Sequence, residues 1–281
     1  VSDRRLIQEL LAGLNDVEVI GTARDGYEAL EKAGELAPDI VLVDNRMPRL
    51  SGAEIFRRLR DSESNAQVIL LSNPVAQEAE STIDALWDGV FDFVVKPTFG
   101  GNPQRDIARL QRALATRIDA YRSAFDADTE CQQVRGASRS PNRLLASLET
   151  CNAAVALGAS TGGPGALRLL LSALPEDLPV PVLIAHPMPA PFTRALAERL
   201  DQVSELTVRE AKNGDLVKPG TALLAPGGRH MEVVEYGGQP RIRLSDSLPL
   251  QGCRPAVDRL FTSVAEFFGA NAIGVILSGN G

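Results

Sequence analysis

The sequence predicts an α/β protein with two domains, each built on a parallel or mainly parallel sheet. In both halves of the chain, short apolar runs of strand length alternate with amphipathic helical stretches, which is typical of parallel sheets covered on both faces. The 281 residues are enough for two ordinary domains. A polar stretch over residues 123–150, where this periodicity fades, is predicted to be the linker between them.

Residues 1–122 form the first predicted domain, which has a doubly wound pattern. Strands are predicted at residues 17–22, 40–43, 68–71 and 93–95. Helices are predicted at residues 6–14, 26–36, 53–59, 83–87 and 106–121. A domain of this kind normally begins with a strand, whereas this pattern begins with a helix. We therefore expect the first strand to be missing, with Val1 as its last residue.

Residues 151–281 form the second predicted domain. Its strands are expected at residues 153–157, 180–185 and 272–277, and its helices at residues 166–174, 192–200 and 256–268. Between residues 206 and 244, β-type sequence is interrupted by Pro/Gly turns. These elements predict a second α/β domain with a mainly parallel sheet.

The composition argues against several classes of function. A net charge of −7 disfavours a nucleic-acid-binding output domain, because such modules use clustered Lys and Arg to neutralise phosphates. No apolar run reaches the roughly 18 residues that a membrane-spanning helix needs, and no secretion signal is evident. Three cysteines without metal-like spacing fit a reducing compartment, so we expect a cytoplasmic protein without membrane insertion.

Four polar residues follow strands of the first predicted domain: Asp3, Asp44, Ser72 and Lys96. Ligands of an open parallel sheet bind at the carboxyl ends of its strands. Two carboxylates there can hold Mg²⁺, and hydroxyl and ammonium groups can bind phosphoryl oxygens. Any one of these residues could merely cap a turn or helix, but four in register favour a site that phosphorylates an aspartate.

The run from Asp44 to Gly52, with the later Lys96-Pro97, resembles the response-regulator receiver domain, and the resemblance covers residues 1–122. It implies a flavodoxin-like fold. It also implies a set of residues around the phosphorylation site: the phospho-acceptor Asp44, the switch hydroxyl Ser72, the aromatic switch Phe93 and the phosphate-pairing Lys96. The implied Mg²⁺ ligands are Asp3, Asp44 and the backbone carbonyl of Arg46.

The same resemblance implies a cis peptide before Pro97 and exposes one departure. Receiver domains usually have two adjacent acids at the end of the first strand, and the first of these positions is Ser2 here. Losing one carboxylate should weaken Mg²⁺ binding.

In the second domain, Gly158-Ala159-Ser160-Thr161-Gly162 lies between a predicted strand and a predicted helix. This is the G-x-S-x-G context in which a tight turn exposes a nucleophilic serine. Backbone N–H groups at the start of the helix could stabilise an oxyanion. A Gly/Ser turn of this kind could also cradle a phosphate or be purely structural.

The chain has only two histidines. His186 ends the next predicted strand, where it could accept the proton of Ser160, although a structural role is the alternative. His230 follows a Pro/Gly turn, and we favour a structural or substrate-contacting role for it over proton transfer. No carboxylate is a convincing third member of a triad, since Asp246 lies in β-rich loop sequence and Asp258 is predicted to be on the solvent side of a helix.

Several segments together resemble the catalytic domain of chemotaxis-type protein-glutamate methylesterases: residues 158–164, 186–193, 224–231, 254–258 and 277–281. The resemblance implies hydrolysis of methylated glutamates on chemoreceptor cytoplasmic helices, often with glutamine deamidation. It implies stimulation when a chemotaxis-type histidine kinase phosphorylates the receiver. Ser160 would be the nucleophile, His186 the base, Thr161 part of the cleft, and the backbone near Asn280 part of the oxyanion site. Hydrolysis would need no cofactor, and Mg²⁺ would serve the receiver alone.

Two departures from that family leave alternatives open. The family usually reads Gln-His-Met-Pro, whereas residues 185–189 are Ala-His-Pro-Met-Pro. His186 either stays at the strand end, with the loop absorbing the extra residue, or is displaced. The family's catalytic Asp is expected about two residues beyond Gly281. The alternative function is a catalytically degenerate homologue that acts as a non-enzymatic regulator or phosphate sink.

Overall fold

The computed structural model of the protein describes residues 2–98, 102–130 and 153–278. The chain divides into two compact units, Val1–Glu130 and Cys131–Gly281. None of the helices in the described segments is both long and apolar enough to cross a membrane.

The first unit is a three-stranded parallel sheet with helices on both faces. Its strands, in the order β1-β2-β3, are Ile40–Asp44 (β1), Gln67–Ser72 (β2) and Asp92–Val95 (β3). Its helices are Ser2–Ala12 (α1), Gly26–Leu36 (α2), Gly52–Asp61 (α3), Ala76–Asp88 (α4) and Pro103–Glu130 (α5). Asp44 pairs with Leu71, and Ser72 pairs with Val95, so Asp44 and Ser72 end their strands at the same edge of the sheet.

Alternation along β2 divides the core of this unit. Ile69 and Leu71 pack against α1 and α5, together with Leu10 and Leu114. On the opposite face, Leu70 lies against the first residue of α3, where a Cβ would collide with its side chain. Helix α3 begins with a capping box, in which Ser51 and Glu54 exchange hydrogen bonds.

The strand predicted at residues 17–22 is wrong. These residues form no strand, and Val19 and Ile20 are 36% and 46% exposed. A strand needs a hydrogen-bonded neighbour. In a doubly wound sheet of this kind, the second strand of the domain lies at the edge and pairs only with the domain's opening strand. No described strand lies beside β1 on that side.

Helix α5 also differs from its prediction at residues 106–121. It continues to Glu130, well into the segment that the sequence predicts to be a linker.

The second unit has a five-stranded parallel sheet in the order β10-β4-β5-β7-β6 and a separate antiparallel hairpin, β8-β9. The strands are Ala154–Ala159 (β4), Val182–Ala185 (β5), Thr207–Glu210 (β6), Thr221–Leu224 (β7), His230–Tyr236 (β8), Gln239–Ser245 (β9) and Ala272–Ser278 (β10). The helices are Gly163–Leu171 (α6), Ala190–Asp201 (α7) and Val257–Phe268 (α8). Strands β5 and β7 are wholly buried, as expected for the middle of a covered parallel sheet.

Candidate functional site

Ser160 lies in the tight turn between β4 and α6. Gly162 caps the helix with φ of 75°, in the left-handed region that favours glycine. The N–H of Gly163 donates to the carbonyl oxygen of Ser160 at 2.7 Å. Strand, turn and helix N-terminus together hold the half-buried Ser160 at the carboxyl edge of the sheet, beside the positive end of the α6 dipole.

His186 follows the last residue of β5, and that residue, Ala185, pairs with Gly158 of β4. Ser160 and His186 therefore leave neighbouring parallel strands at the same edge. The ring of His186 is 6% exposed, and its Nδ1 lies 3.0 Å from the carbonyl oxygen of Ala159. A methyl group on Gly163 would lie 3.3 Å from Nε2, so this nitrogen faces the start of α6.

The Nδ1 contact selects the tautomer that a neutral His186 ring would adopt. A carbonyl oxygen only accepts, so Nδ1 donates to Ala159, and the lone pair of a neutral ring would lie on Nε2. This is the tautomer that a general base needs. The Ala159 carbonyl thus orients the ring in the way that a carboxylate does in a triad.

The extra residue after His186 is absorbed in the loop that leads to α7. His186 remains at the end of β5, Met188 is buried, and α7 begins at Ala190. Gly227 holds this loop from the other side, because a Cβ there would overlap the backbone of Pro189 and Ala190. The structure thus places His186 at the strand end, the first of the two alternatives that the sequence leaves open.

Thr161 follows Ser160 and is 9% exposed. Within the described part of the chain, its hydroxyl has no hydrogen-bond partner. Leaving such a buried hydroxyl unpaired costs about 1–3 kcal/mol, so a ligand that pairs with it would remove part of that cost. Strand β10 reaches the same edge, with Ser278 paired to Ala159, whereas Asn280 lies outside the described residues.

His230 has a structural environment. It is fully buried, its Nδ1 accepts from the N–H of Ala256 at 3.2 Å, and its Nε2 lies 3.1 Å from the carbonyl oxygen of Leu248. Both ring nitrogens are thus occupied by backbone. The two weakly favoured carboxylates also lie elsewhere, since Asp246 pairs with Arg229 at 3.0 Å and Asp258 is exposed in the first turn of α8.

The carboxyl edge of the first sheet brings together Asp44 and Lys96. The Lys96 ammonium donates to Asp44 Oδ2 at 2.5 Å, and the N–H of Arg46 donates to Oδ1 at 3.0 Å. Ser72 is fully buried beside them, and its carbonyl accepts from the N–H of Lys96 at 2.8 Å. Phe93 is buried on β3 at 4% exposure.

Asp3 lies in the first turn of α1, and its side chain is outside the described part of the structure. Mg²⁺ binds through one or two carboxylates together with phosphate oxygens and water. The Asp44 carboxylate, 30% exposed at its strand end, is a ligand of this type. No group of three or more His, Cys, Asp or Glu side chains that could hold a metal ion is found among the described residues. The Asp44 carboxylate fits a site in which phosphate oxygens and water supply the other ligands.

The peptide before Pro97 was expected to be cis and is not. Within the described ranges, the cis peptide is Arg254–Pro255.

Glu78, in the first turn of α4, also reaches the carboxyl edge of the first sheet, although its position is not one of the strand ends that the sequence indicates. Its carboxylate is 3% exposed and accepts from the N–H of Asn73 at 2.7 Å and from Asn73 Nδ2 at 2.9 Å. Burial alone would raise its pKa, but the Asn73 hydrogen bonds and the charges of Lys96 and Arg46 lower it below the ordinary 4.5. An acidic residue in the first turn of a helix is a known capping signal, and this signal could have identified Glu78 from the sequence.

Two family models match the chain: the response regulator receiver domain over residues 2–104 and CheB methylesterase over residues 155–281. A protein-glutamate methylesterase/protein-glutamine glutaminase of Geobacillus kaustophilus is 39% identical over 278 residues, which cover 99% of this chain and 78% of the relative. The chain belongs to the CheB methylesterase family. A Symbiobacterium thermophilum protein of the same description is 38% identical, covering 99% of this chain and 78% of its own length.

Among solved structures, the Thermotoga maritima CheB methylesterase catalytic domain is 40% identical, with a TM-score of 0.46, over 47% of this chain and 70% of that one. The response regulator domain of Thermotoga maritima CheB is 31% identical, with a TM-score of 0.37, over 44% and 88%. The predicted family and the α/β fold with receiver and CheB methylesterase domains are confirmed. The chain is a hydrolase of the CheB methylesterase type.

Proposed function

We propose that this protein hydrolyses γ-glutamyl methyl esters on the cytoplasmic helices of methyl-accepting chemoreceptors and deamidates glutamines there. The observation that carries the proposal is the pairing of Ser160 and His186 at the ends of neighbouring strands, with Nδ1 of His186 fixed against the Ala159 carbonyl. Relatives with the two activities in their descriptions support it. We also propose a cytoplasmic location, because the proposed substrate lies on the cytoplasmic helices of the receptors.

The reaction uses the groups of this edge in sequence. Ser160 Oγ attacks the ester carbonyl carbon while its proton passes to Nε2 of His186. The positive end of the α6 dipole stabilises the oxyanion, with contributions from Thr161 and the backbone near Asn280. Methanol leaves with the proton from Nε2. A water then attacks the acyl-enzyme, with His186 again as base, and releases glutamate. For glutamine, ammonia is the leaving group, and neither reaction needs a cofactor.

We further propose that a chemotaxis-type histidine kinase phosphorylates Asp44 and thereby regulates the esterase. Asp44, Asp3 and the Arg46 carbonyl would hold Mg²⁺, which when bound neutralises charge on the phosphoryl oxygens. Lys96 and Ser72 would bind the phosphoryl oxygens, and Phe93 would be the aromatic switch. The contact between Lys96 and Asp44 at 2.5 Å supports this assignment.

Replacement of the nucleophile tests the hydrolase proposal. We expect Ser160→Ala to reduce methanol release from a methylated chemoreceptor cytoplasmic fragment by about 10³-fold or more, because the covalent route is lost. Ser172→Ala, which removes an exposed hydroxyl at the other end of α6, is the matched control and should retain activity. Equal methanol release by Ser160→Ala and the unmodified protein would favour the non-enzymatic regulator instead.

A further inference from the structure

Glu78 is a buried carboxylate whose partners lie at the edge where a phosphoryl group on Asp44 would bind. Besides the two Asn73 donors, its Oε2 lies 3.4 Å from Ser72 Oγ, and its Oε1 lies 3.7 Å from a guanidinium nitrogen of Arg46. Lys96, which contacts Asp44 directly, is close enough for its charge to act on Glu78. The Glu78 carboxylate thus accepts hydrogen bonds from, or lies near the positive charges of, several groups around the phosphorylation site.

The hydroxyl of Ser72 is also directed toward α4. Thr82 Oγ1 donates to the carbonyl oxygen of Glu78 at 2.6 Å, so the Thr82 oxygen is left to accept. Ser72 Oγ lies 2.9 Å from that oxygen. The Ser72 hydroxyl therefore donates mainly to Thr82 at 2.9 Å, with the Glu78 carboxylate at the longer distance of 3.4 Å, and both acceptors belong to α4.

We propose that Glu78 is a built-in competitor of the phosphoryl group, holding the Ser72 hydroxyl and the Asn73 N–H in the unmodified receiver. Both an aspartyl phosphate and Glu78 present anionic oxygens to the same donors, and charged acceptors bind N–H and O–H groups more strongly than neutral ones. A phosphoryl group on Asp44 must therefore displace the carboxylate before it gains those hydrogen bonds. The inference rests on the proposed phosphorylation of Asp44.

Binding of beryllofluoride, a stable analogue of an aspartyl phosphate, measures this competition at equilibrium. With Mg²⁺ and excess fluoride present, ¹⁹F NMR of the full chain gives the beryllium concentration at half-saturation. We expect Glu78→Gln to bind beryllofluoride roughly three- to tenfold more tightly, because a neutral amide holds the donors less strongly than a carboxylate. Glu80→Gln is the matched control, since Glu80 is exposed two residues along the same helix, and it should bind as the unmodified protein does.

Further variants separate the possible results. Binding by the unmodified protein and none by Asp44→Asn supports the phosphorylation site itself. If Glu78→Gln then binds no more tightly than the unmodified protein, Glu78 only caps α4 and the competitor role is overturned. If Glu78→Gln fails to fold, Asn73→Ala, which removes the side-chain donor to Glu78, should give a smaller gain in the same direction. No bound signal in any of these proteins would overturn the inference together with the phosphorylation proposal.

Discussion

The two histidines differ in which ring atoms the backbone occupies. His230 gives both nitrogens to backbone groups, whereas in His186 Nδ1 lies against the Ala159 carbonyl and Nε2 faces the start of α6 beside the serine turn. Proton transfer during catalysis needs a ring nitrogen that can exchange its proton with substrate. The geometry therefore favours His186 as the base and His230 as a link between β8, the loop at Leu248 and the start of α8.

Replacement of His230 should act on stability. We expect His230→Ala to lower the free energy of unfolding by about 2–4 kcal/mol, through lost packing and two unpaired backbone groups. Urea unfolding followed by circular dichroism measures this loss, and esterase activity should persist where the variant is folded. His186→Ala is the comparison, with hydrolysis expected to fall by about 10³-fold. A His230→Ala variant as stable as the unmodified protein would contradict the structural role.

Residue types at strand ends were the part of the site that the sequence could predict. Asp44 and His186 directly follow predicted apolar strands and Ser160 lies three residues beyond one, and parallel strands bring such positions to one edge. Glu78 and Thr82 reach their edge from a helix, through side-chain conformations that no spacing rule fixes. The hydrogen bond between His186 and the Ala159 carbonyl depends in the same way on ring orientation.

At the scale of elements, the loops after β5 and β7 lie in close backbone contact. Gly227 approaches Pro189 and Ala190 so closely that no side chain fits, and its N–H donates to Thr193 Oγ1 at 2.9 Å. This contact fixes the loop that begins with His186. A side chain at Gly227 would push that loop away from β7.

We expect Gly227→Ala to destabilise the second unit by more than about 3 kcal/mol, because the added methyl overlaps backbone that cannot rotate aside. The change in urea midpoint measures this. Gly165→Ala on α6 is the matched control: a methyl there meets no neighbouring atom, so the gain in helix propensity, up to about 1 kcal/mol, should leave stability unchanged or higher. Equal midpoints for the two variants would refute the close-approach argument.

Continuous apolar runs in the sequence predicted strands well. Strands β1, β2 and β5 each contain such a run, and the predicted bounds lie within two residues of the observed ones. Residues 17–22 have strand-forming composition, but a strand exists only where a neighbour completes its hydrogen bonds, and no local pattern contains that neighbour. Helix α5 extends beyond its predicted end at Tyr121. The residues that follow are mostly polar, so the apolar periodicity fades, but they include no glycine or proline that would end the helix.

At the scale of the whole molecule, the chain combines a receiver unit and a hydrolase unit. If phosphorylation of Asp44 regulates Ser160, phosphoramidate with Mg²⁺ should raise methanol release by at least about fivefold, the lower end of typical coupling between two sites. Asp44→Asn should show no such response. Asp61→Asn, an exposed acid at the end of α3, should respond as the unmodified protein does. An unchanged rate with phosphoramidate in the unmodified protein would contradict this regulation.

The single tryptophan of the chain, Trp87, lies near the end of α4, the helix whose first turn contains Glu78. Excitation at the long-wavelength edge of the protein's ultraviolet absorption therefore excites only Trp87, which lies in the receiver unit. Its emission can follow a rearrangement of α4 while the hydrolase unit stays dark. Far-ultraviolet circular dichroism records both units, so comparing the two signals during denaturation separates their unfolding without cutting the chain.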